Sequence, residues 1–331
     1  MTSAIDINKI PRIHLASGRS IPSIGMGTFG SDKYGPEEIS AAVGGAIRCG
    51  YRFFDCASVY GNEDLIGKVF EEAFESAVVK REELFVTSKV WNDMHGKALV
   101  SIQKTLFDLR LSYVDAYFVH WPFPNYHAPG CDGDSRNPDS VPFSADRFMS
   151  VWEQMEEIYE KGLSRCLGMS NMTIPKLEAV LPRCKIKPEL IEMEQHPSFQ
   201  QQALFDYCNG KGITVIGYCP IGSPNRPERD KAPGDVVDTE LSEVVEIAKA
   251  HKIHPALICV KWAVQRGSIP IPFSVHEKNY RSNLLAVTED PLSPAEMDLL
   301  KKAERNCRLV KGQVFLWQGA NGWEDLWDVS T

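Results

Sequence analysis

Asp55, Tyr60, Lys89 and His120 supply an acid, a phenol, an ammonium and an imidazole within the first 120 residues. Asp55 opens the block Asp55-Cys56-Ala57-Ser58-Val59-Tyr60-Gly61-Asn62-Glu63. Lys89 sits in Thr87-Ser88-Lys89-Val90-Trp91, and His120 precedes Trp121-Pro122. The set suits reduction of a carbonyl. Hydride addition leaves an alkoxide that must take up a proton. A tyrosine hydroxyl can donate it, but its ordinary pKa of about 10 is high for transfer at neutral pH. A neighbouring ammonium favours the phenolate and lowers that pKa, while a carboxylate keeps the ammonium charged and oriented. A histidine N–H can hold the carbonyl oxygen. Tyr60, Lys89, Asp55 and His120 fill these roles. Each has a plainer reading alone: a surface-loop tyrosine, a structural ion pair, a core histidine.

These groups need elements to carry them. Short apolar runs at Ile24–Gly27, Arg52–Asp55, Leu84–Ser88, Ala116–His120, Ser164–Gly168, Leu190–Glu194, Thr214–Gly217 and Ile269–Pro272 read as strands. Amphipathic stretches lie between them at Glu37–Arg48, Asp64–Val78, Gly96–Leu109, Val151–Glu160, Ile174–Leu181, Gln201–Asn209 and Glu240–Val264. The last is broken near His251–Pro255 into two helices. Strands alternating with crossover helices imply a parallel sheet, and eight such units predict an α/β fold, a closed (β/α)8 TIM barrel. An open doubly wound sheet is the alternative, but no G-x-G-x-x-G follows the first strand. In a barrel, the four groups fall on the rim where strands end and βα loops begin. A hairpin is expected over Ile13–Pro22. Long loops are expected over Pro122–Asp146 and Gly222–Asp238. Residues 1–331 read as one domain, with residues 10–310 as barrel and auxiliary helices, including one near Pro294–Asn306. Residues 311–331 form a tail over the barrel mouth.

Composition narrows the class. Of 331 residues, 43% are hydrophobic and 24% charged, and the formal net charge is −8. That balance speaks against general binding of nucleic acid or anionic membranes. No apolar run reaches the roughly 18 residues of a membrane span, and no signal-peptide pattern opens the chain. The nine cysteines are odd in number and none pair as CxxC, so buried thiols in a reducing cytoplasm are expected rather than disulfides or zinc. A monomer is expected, with a dimer as the alternative.

The motifs together resemble the aldo-keto reductases over nearly the whole chain. They are Gly25-Met26-Gly27-Thr28-Phe29, the Asp55–Glu63 block, Lys89-Val90-Trp91, Val119-His120-Trp121-Pro122, Gly168-Met169-Ser170-Asn171, Glu194-Gln195-His196-Pro197 and Tyr218-Cys219-Pro220-Ile221-Gly222-Ser223. The resemblance implies the tetrad Asp55, Tyr60, Lys89 and His120, an extended NAD(P)H cofactor and no metal. Gly27 and Thr28 match the loop near the nicotinamide ribose. Ser170 and Asn171 match the pair on the carboxamide, and Tyr218 matches the ring stacked beneath the nicotinamide. Ile221 and Ser223 belong to the same cofactor set. Glu192 stands where the family usually has glutamine. A carboxylate there accepts from the carboxamide but has lost the donor.

After the eighth strand the family pattern is I-P-K-S, with an arginine five residues past the serine and an asparagine four beyond. Here Phe273 replaces the lysine and Asn279 the arginine, while Ser274 and Asn283 remain. The two lost cations normally clamp the 2′-phosphate of NADP, so NADH is expected to serve better here than in a typical member. His276, Lys278 or Arg281 would compensate if turned inward.

Phe29, Trp91, Trp121 and Trp317 are the expected substrate walls. The loop residues Asn125, Tyr126, His127, Asp132, Asp134, Arg136 and Asn137 favour a hydroxylated substrate such as an aldose or keto-sugar. The N-terminal half is also loosely similar to sugar and polyol reductases. An apolar ketone or aromatic aldehyde is the runner-up. Two other classes compete: a regulatory barrel that binds cofactor with little turnover, and a metal-dependent barrel hydrolase. The second would need a His/Asp cluster beyond His120 and Asp55.

Overall fold

The structure, a computed structural model, describes residues 5–30, 33–127, 131, 137–223, 226, 228 and 231–329. A hairpin of β1 (Arg12–His14) and β2 (Ser20–Pro22) comes first. Eight parallel strands follow: β3 (Met26–Gly27), β4 (Phe53–Asp55), β5 (Phe85–Val90), β6 (Ala116–Val119), β7 (Leu167–Ser170), β8 (Leu190–Glu194), β9 (Thr214–Tyr218) and β10 (Ile269–Pro270). They pair in chain order. The Gly25 N–H donates to the Pro270 carbonyl at 3.0 Å, joining the first strand's edge to the last. The fold is a (β/α)8 barrel.

The helices are α1 (Pro36–Cys49), α2 (Glu63–Glu75), α3 (Ala98–Leu109), α4 (Ala145–Glu160), α5 (Ile174–Val180), α6 (Gln202–Gly210), α7 (Ser242–His251), α8 (Pro255–Gln265), α9 (Glu277–Ala286) and α10 (Pro294–Lys301). Local chemistry sets their starts. Pro36 opens α1 with Glu37 and Glu38 in its first turn, and Ser293 caps α10 in a reciprocal box with Glu296. The break expected near His251–Pro255 is real: Lys252 turns left-handed, and His254 caps α8 ahead of Pro255.

Barrel strands are covered on both faces, so they read as continuous apolar runs. Phe53, Phe85, Ala116, Phe118, Leu190, Ile216 and Ile269 fill the interior, and Leu15 and Ile21 of the hairpin plug its lower end. The opposite end is left for polar side chains. The C-terminal tail closes part of that mouth. Val314, Phe315, Leu316, Leu326 and Trp327 pack on Trp121 and Phe123.

Some boundaries move. The strand expected at Ser164–Gly168 is Leu167–Ser170. Ser164 makes only an isolated bridge with Val114, while its hydroxyl donates to the Cys166 carbonyl. Helix α4 begins six residues before Val151, because Ser144 accepts from the Arg147 N–H and starts it. Helix α2 ends at Glu75, where the chain turns through Ala77 at φ 54°. Helix α9 was not anticipated. Its sequence is polar, with Tyr280 and Leu284 buried one turn apart.

Candidate active site

Strand register brings the four groups together. Gly27 pairs with Asp55, Asp55 with Thr87, and Lys89 with Phe118; His120 follows directly on β6. Tyr60 comes from a short turn, Ser58–Tyr60, after β4. Gly61 closes that turn at φ 67°, in open space, so its left-handed backbone is the reason for glycine there. Glu63, at the end of the same block, accepts from Ser88 and Thr105 and ties α2 to β5 and α3.

Lys89 is fully buried. Its Nζ donates to Asp55 Oδ1 and Oδ2 at 2.7 and 2.6 Å, to the Cys56 carbonyl at 3.0 Å and to the Tyr60 hydroxyl at 3.4 Å. Burial alone would lower this ammonium's pKa, but Asp55, Glu192 and Tyr60 hold it well above its ordinary value. Tyr60 departs from the expectation that lysine would make it acidic. Burial raises the phenol's pKa, and the pull of Lys89 reduces that rise without cancelling it. The group therefore rests as a neutral phenol.

The His120 ring centre lies 5.9 Å from that of Tyr60 and 4.9 Å from that of Trp91. Burial, then Lys89 and His95, hold its pKa well below the ordinary value, so it is neutral with an N–H to donate. Its Nδ1 is buried without a hydrogen-bond partner.

The residues expected at a nicotinamide surround the same rim. The Ser170 hydroxyl and Glu192 Oε2 are buried without hydrogen-bond partners. An unused donor and an unused acceptor side by side fit a carboxamide. The Asn171 amide is partly committed: it donates to the His120 carbonyl at 2.9 Å and accepts from the Tyr218 hydroxyl at 2.7 Å. A Cβ at Gly27 would meet the Ile271 carbonyl at 2.9 Å, so only glycine fits that approach. The Thr28 hydroxyl donates to the Asp55 carbonyl at 2.8 Å and braces the rim. These residues fit a nicotinamide cofactor.

Comparison with known proteins settles the family. Residues 23–305 match the family profile described as Aldo/keto reductase family. The chain belongs to the aldo/keto reductase family. It is 34% identical to an aldo/keto reductase of Synechocystis sp., covering 99% of each chain. It is 37% identical to aldo-keto reductase family 1 member A1 of Mus musculus, covering 89% of this chain and 90% of that one. Among solved structures it is similar to the aldose reductase of Schistosoma japonicum, with a TM-score of 0.80, 33% identity and coverage of 95% and 98%. It is likewise similar to a Bombyx mori aldo-keto reductase in complex with NADP, with a TM-score of 0.79, 28% identity and coverage of 91% and 94%.

As an aldo/keto reductase the chain is an oxidoreductase, and its sequence after β10 departs from the family pattern. Phe273 packs edge-on against Tyr34, with ring centres 5.9 Å apart. The Ser274 hydroxyl accepts from the His276 N–H at 3.1 Å and from Asn279 Nδ2 at 3.2 Å. His276 and Lys278 are exposed, and Arg281 Nη1 lies 3.8 Å from Cys49 Sγ on α1. Asn283 is buried. Ile221 is packed against the helix core, and Ser223 turns at φ 39° at the start of the next loop.

Of the expected substrate walls, Phe29 and Trp91 lie against Tyr60 and His120, and Trp91, Trp121 and Trp317 join one aromatic cluster with Phe315. Phe29 lies 5.2 Å from Tyr60, ring centre to ring centre. Trp91 contacts His120, His127 at 6.2 Å and Phe315 at 5.9 Å, and Trp121 lies behind at 4.6 Å from Phe315. Trp317 also lines a cavity of about 450 Å³ with Pro142, Phe143, Asp325, Asp328 and Val329. Phe315 and His127 join Trp91 through tertiary packing that spacing does not show. Asp132, Asp134 and Arg136 lie outside the described residues.

His196 has a structural setting. It is fully buried between Glu194 Oε1 at 2.9 Å and Asp238 Oδ2 at 3.0 Å. Glu194 also accepts from the N–H groups of Leu309 and Val310, so this cluster ties the tail to β8.

Proposed function

We propose that this protein is a nicotinamide-dependent reductase of aldehydes or ketones, with Tyr60 as general acid. The observation that carries the reading is the Lys89 ammonium, held by both Asp55 oxygens and directed at the Tyr60 hydroxyl. The reduced nicotinamide, when bound, supplies hydride to the carbonyl carbon. His120 donates an N–H to the carbonyl oxygen and orients it. Tyr60 passes its proton to that oxygen as negative charge develops there. Lys89 stabilises the phenolate left behind, and Asp55 keeps Lys89 in place. Membership of the family and the relative bound to NADP support NAD(P)H as cofactor. Phe273 and Asn279, in place of cations, support readier use of NADH than in a typical member.

For the substrate, the described aromatic side chains favour the runner-up, an apolar ketone or aromatic aldehyde. The sugar reading rests on a loose similarity of the N-terminal half to sugar and polyol reductases and on polar loop side chains. Of those, Asn125 spends its amide on the carbonyls of Val141 and Phe315 and on the Val141 N–H, all at 2.8 Å, and Asn137 turns to Tyr126 and Asp139. Trp91, Phe29, His127 and Phe315 favour a carbonyl carried on a flat apolar or aromatic group. The whole chain acts in this reading as one domain, a monomer in a reducing cytoplasm. Oxidation of NADPH and NADH against aromatic aldehydes, aliphatic ketones and aldoses tests it. Tight cofactor binding with no turnover on any of them overturns it in favour of a regulatory, cofactor-sensing barrel.

A further inference from the structure

Glu192 stands on β8 where the family's pattern has glutamine, and its side chain does more than face a carboxamide. Its Oε2 lies 3.4 Å from Lys89 Nζ, inside ion-pair range, on a residue only 3% exposed. No hydrogen bond reaches that oxygen. Lys89 therefore has two buried carboxyl groups beside it, Asp55 closely held and Glu192 less so. The groups facing Glu192 are Asp55 from β4, Lys89 from β5, the Tyr60 hydroxyl from the turn after β4 and Tyr218 from β9. Ser170, its register partner on β7, adds an uncharged hydroxyl, and the Asn171 N–H donates to the Glu192 carbonyl at 3.0 Å. Of these groups, Lys89 alone is positive.

We propose that Glu192 is a positioning residue for proton donation: its carboxyl competes with the Tyr60 hydroxyl for the Lys89 ammonium and so sets how strongly that ammonium supports the phenolate. The inference rests on Tyr60 being the donor. Geometry makes the competition direct, since both groups lie 3.4 Å from the same nitrogen. Charge makes it matter. Burial and the nearby Asp55 push the Glu192 carboxyl up to about 8, against the pull of Lys89. Below that pH, Glu192 is neutral and the ammonium's charge is shared between Asp55 and Tyr60. Above it, Glu192 draws on the ammonium and adds a negative charge beside the phenol, which then gives up its proton less readily. A glutamine at this position has no such dependence.

Glu192→Gln keeps the side chain's size and removes its titration. The first measurement is kcat for aldehyde reduction from pH 6 to pH 10, in the wild type and E192Q. The wild type is expected to lose about tenfold through a step near pH 8, the effect of roughly one pKa unit on the donor, and E192Q to lack that step. The second measurement needs no cofactor: 13C NMR of protein labelled at glutamate side-chain carboxyls. One resonance, absent from E192Q, is expected to titrate near pH 8 and to move to higher pH in Lys89→Met. A wild-type pH step retained in E192Q overturns the inference. So does a resonance that titrates in the ordinary carboxylate range. A changed NADH Kd in E192Q with an unchanged pH profile overturns it too, and assigns Glu192 to the carboxamide alone. If Tyr60→Phe loses activity while E192Q matches the wild type, this inference fails alone. If Tyr60→Phe stays active, the donor reading fails with it.

Discussion

Lys89 is bound to Asp55 through both carboxylate oxygens, at 2.6 and 2.7 Å, and reaches Tyr60 only at 3.4 Å. The short contacts fix where the charge sits, and the longer one is the contact that can tighten. In the proposed reaction the phenol starts neutral and draws weakly on the ammonium. Once the proton has left, the phenolate draws on it strongly. An interaction that strengthens as charge develops lowers the barrier rather than merely binding the ground state.

Tyr60→Phe should therefore keep cofactor affinity and lose most reductase activity, by about a hundredfold or more in kcat. Fluorescence titration with NADPH gives the first quantity and steady-state turnover the second. Activity within about threefold of wild type would show that another group donates.

Lys89→Met should damage both function and stability. With the ammonium gone, burial raises the Tyr60 phenol further and donation slows. Asp55 is also left buried without its cation. Breaking a buried pair by removing one partner costs about 3–5 kcal/mol. Chemical denaturation should show that loss alongside a kcat as low as that of Tyr60→Phe. A variant of wild-type stability would mean that Asp55 simply takes up a proton.

Much of the rim was readable from side-chain alternation. In a barrel strand, residues two apart face the same side. Phe53 fills the interior, so Asp55 also points inward at the rim; Phe85 and Lys89 share a face, as do Ala116, Phe118 and His120. The same rule runs from Leu190 to Glu192 and from Ile216 to Tyr218. It carried the signal that Glu192 joins Lys89, a signal hidden when Glu192 was read only as a substituted cofactor contact. The phenol's response to burial was not readable, because spacing shows that Lys89 is near but not how much water the site excludes. Nor was the approach of Phe315 to Trp91. Which of two nearby aromatic residues in the tail meets Trp91 depends on the Gly312 turn, at φ 75°, and on Asn125 holding the Phe315 carbonyl.

Phe273→Lys with Asn279→Arg should shift preference toward NADPH. Phe273 now packs on Tyr34, and Asn279 bonds to Ser274, so neither brings positive charge to the Ser274 turn. Two cations there would favour a phosphate over a hydroxyl, by about 2 kcal/mol or more for charge-assisted bonds. The ratio of kcat/KM for NADPH over NADH should rise at least tenfold. An unchanged ratio would show that other residues read the 2′ position.

His196 should make stability fall with rising pH. Burial opposes its charge, but Asp238 and Glu194 outweigh burial and raise its pKa to about 9. The unfolded value is about 6.5. A group with a raised folded pKa contributes fully below its unfolded pKa, and that contribution is lost as pH rises through its folded pKa. The window is therefore about pH 6.5 to 9. Thermal unfolding of the wild type should show Tm dropping across it. His196→Gln should have a lower Tm at pH 6 and a flatter profile, because the amide does not titrate. An equally steep fall in the variant would place the pH dependence elsewhere.

Phe315→Ala should separate the tail's part in substrate recognition from its part in chemistry. The ring packs against Trp91, Trp121, Phe123 and His127, the groups beside His120, while the tetrad lies on barrel strands and the turn after β4. Removing it opens the wall without touching the proton donor. A flat aromatic aldehyde should lose about 1–3 kcal/mol of binding, seen as a KM raised roughly 5- to 100-fold. A short aldehyde that does not reach the wall should change little. Tm should also fall, since the ring is 4% exposed and its loss leaves a cavity under the tail. If both aldehydes lose the same factor in kcat and neither changes in KM, the tail acts by holding the rim in shape. If the aromatic substrate alone loses affinity, the wall formed by Trp91 and Phe315 selects it.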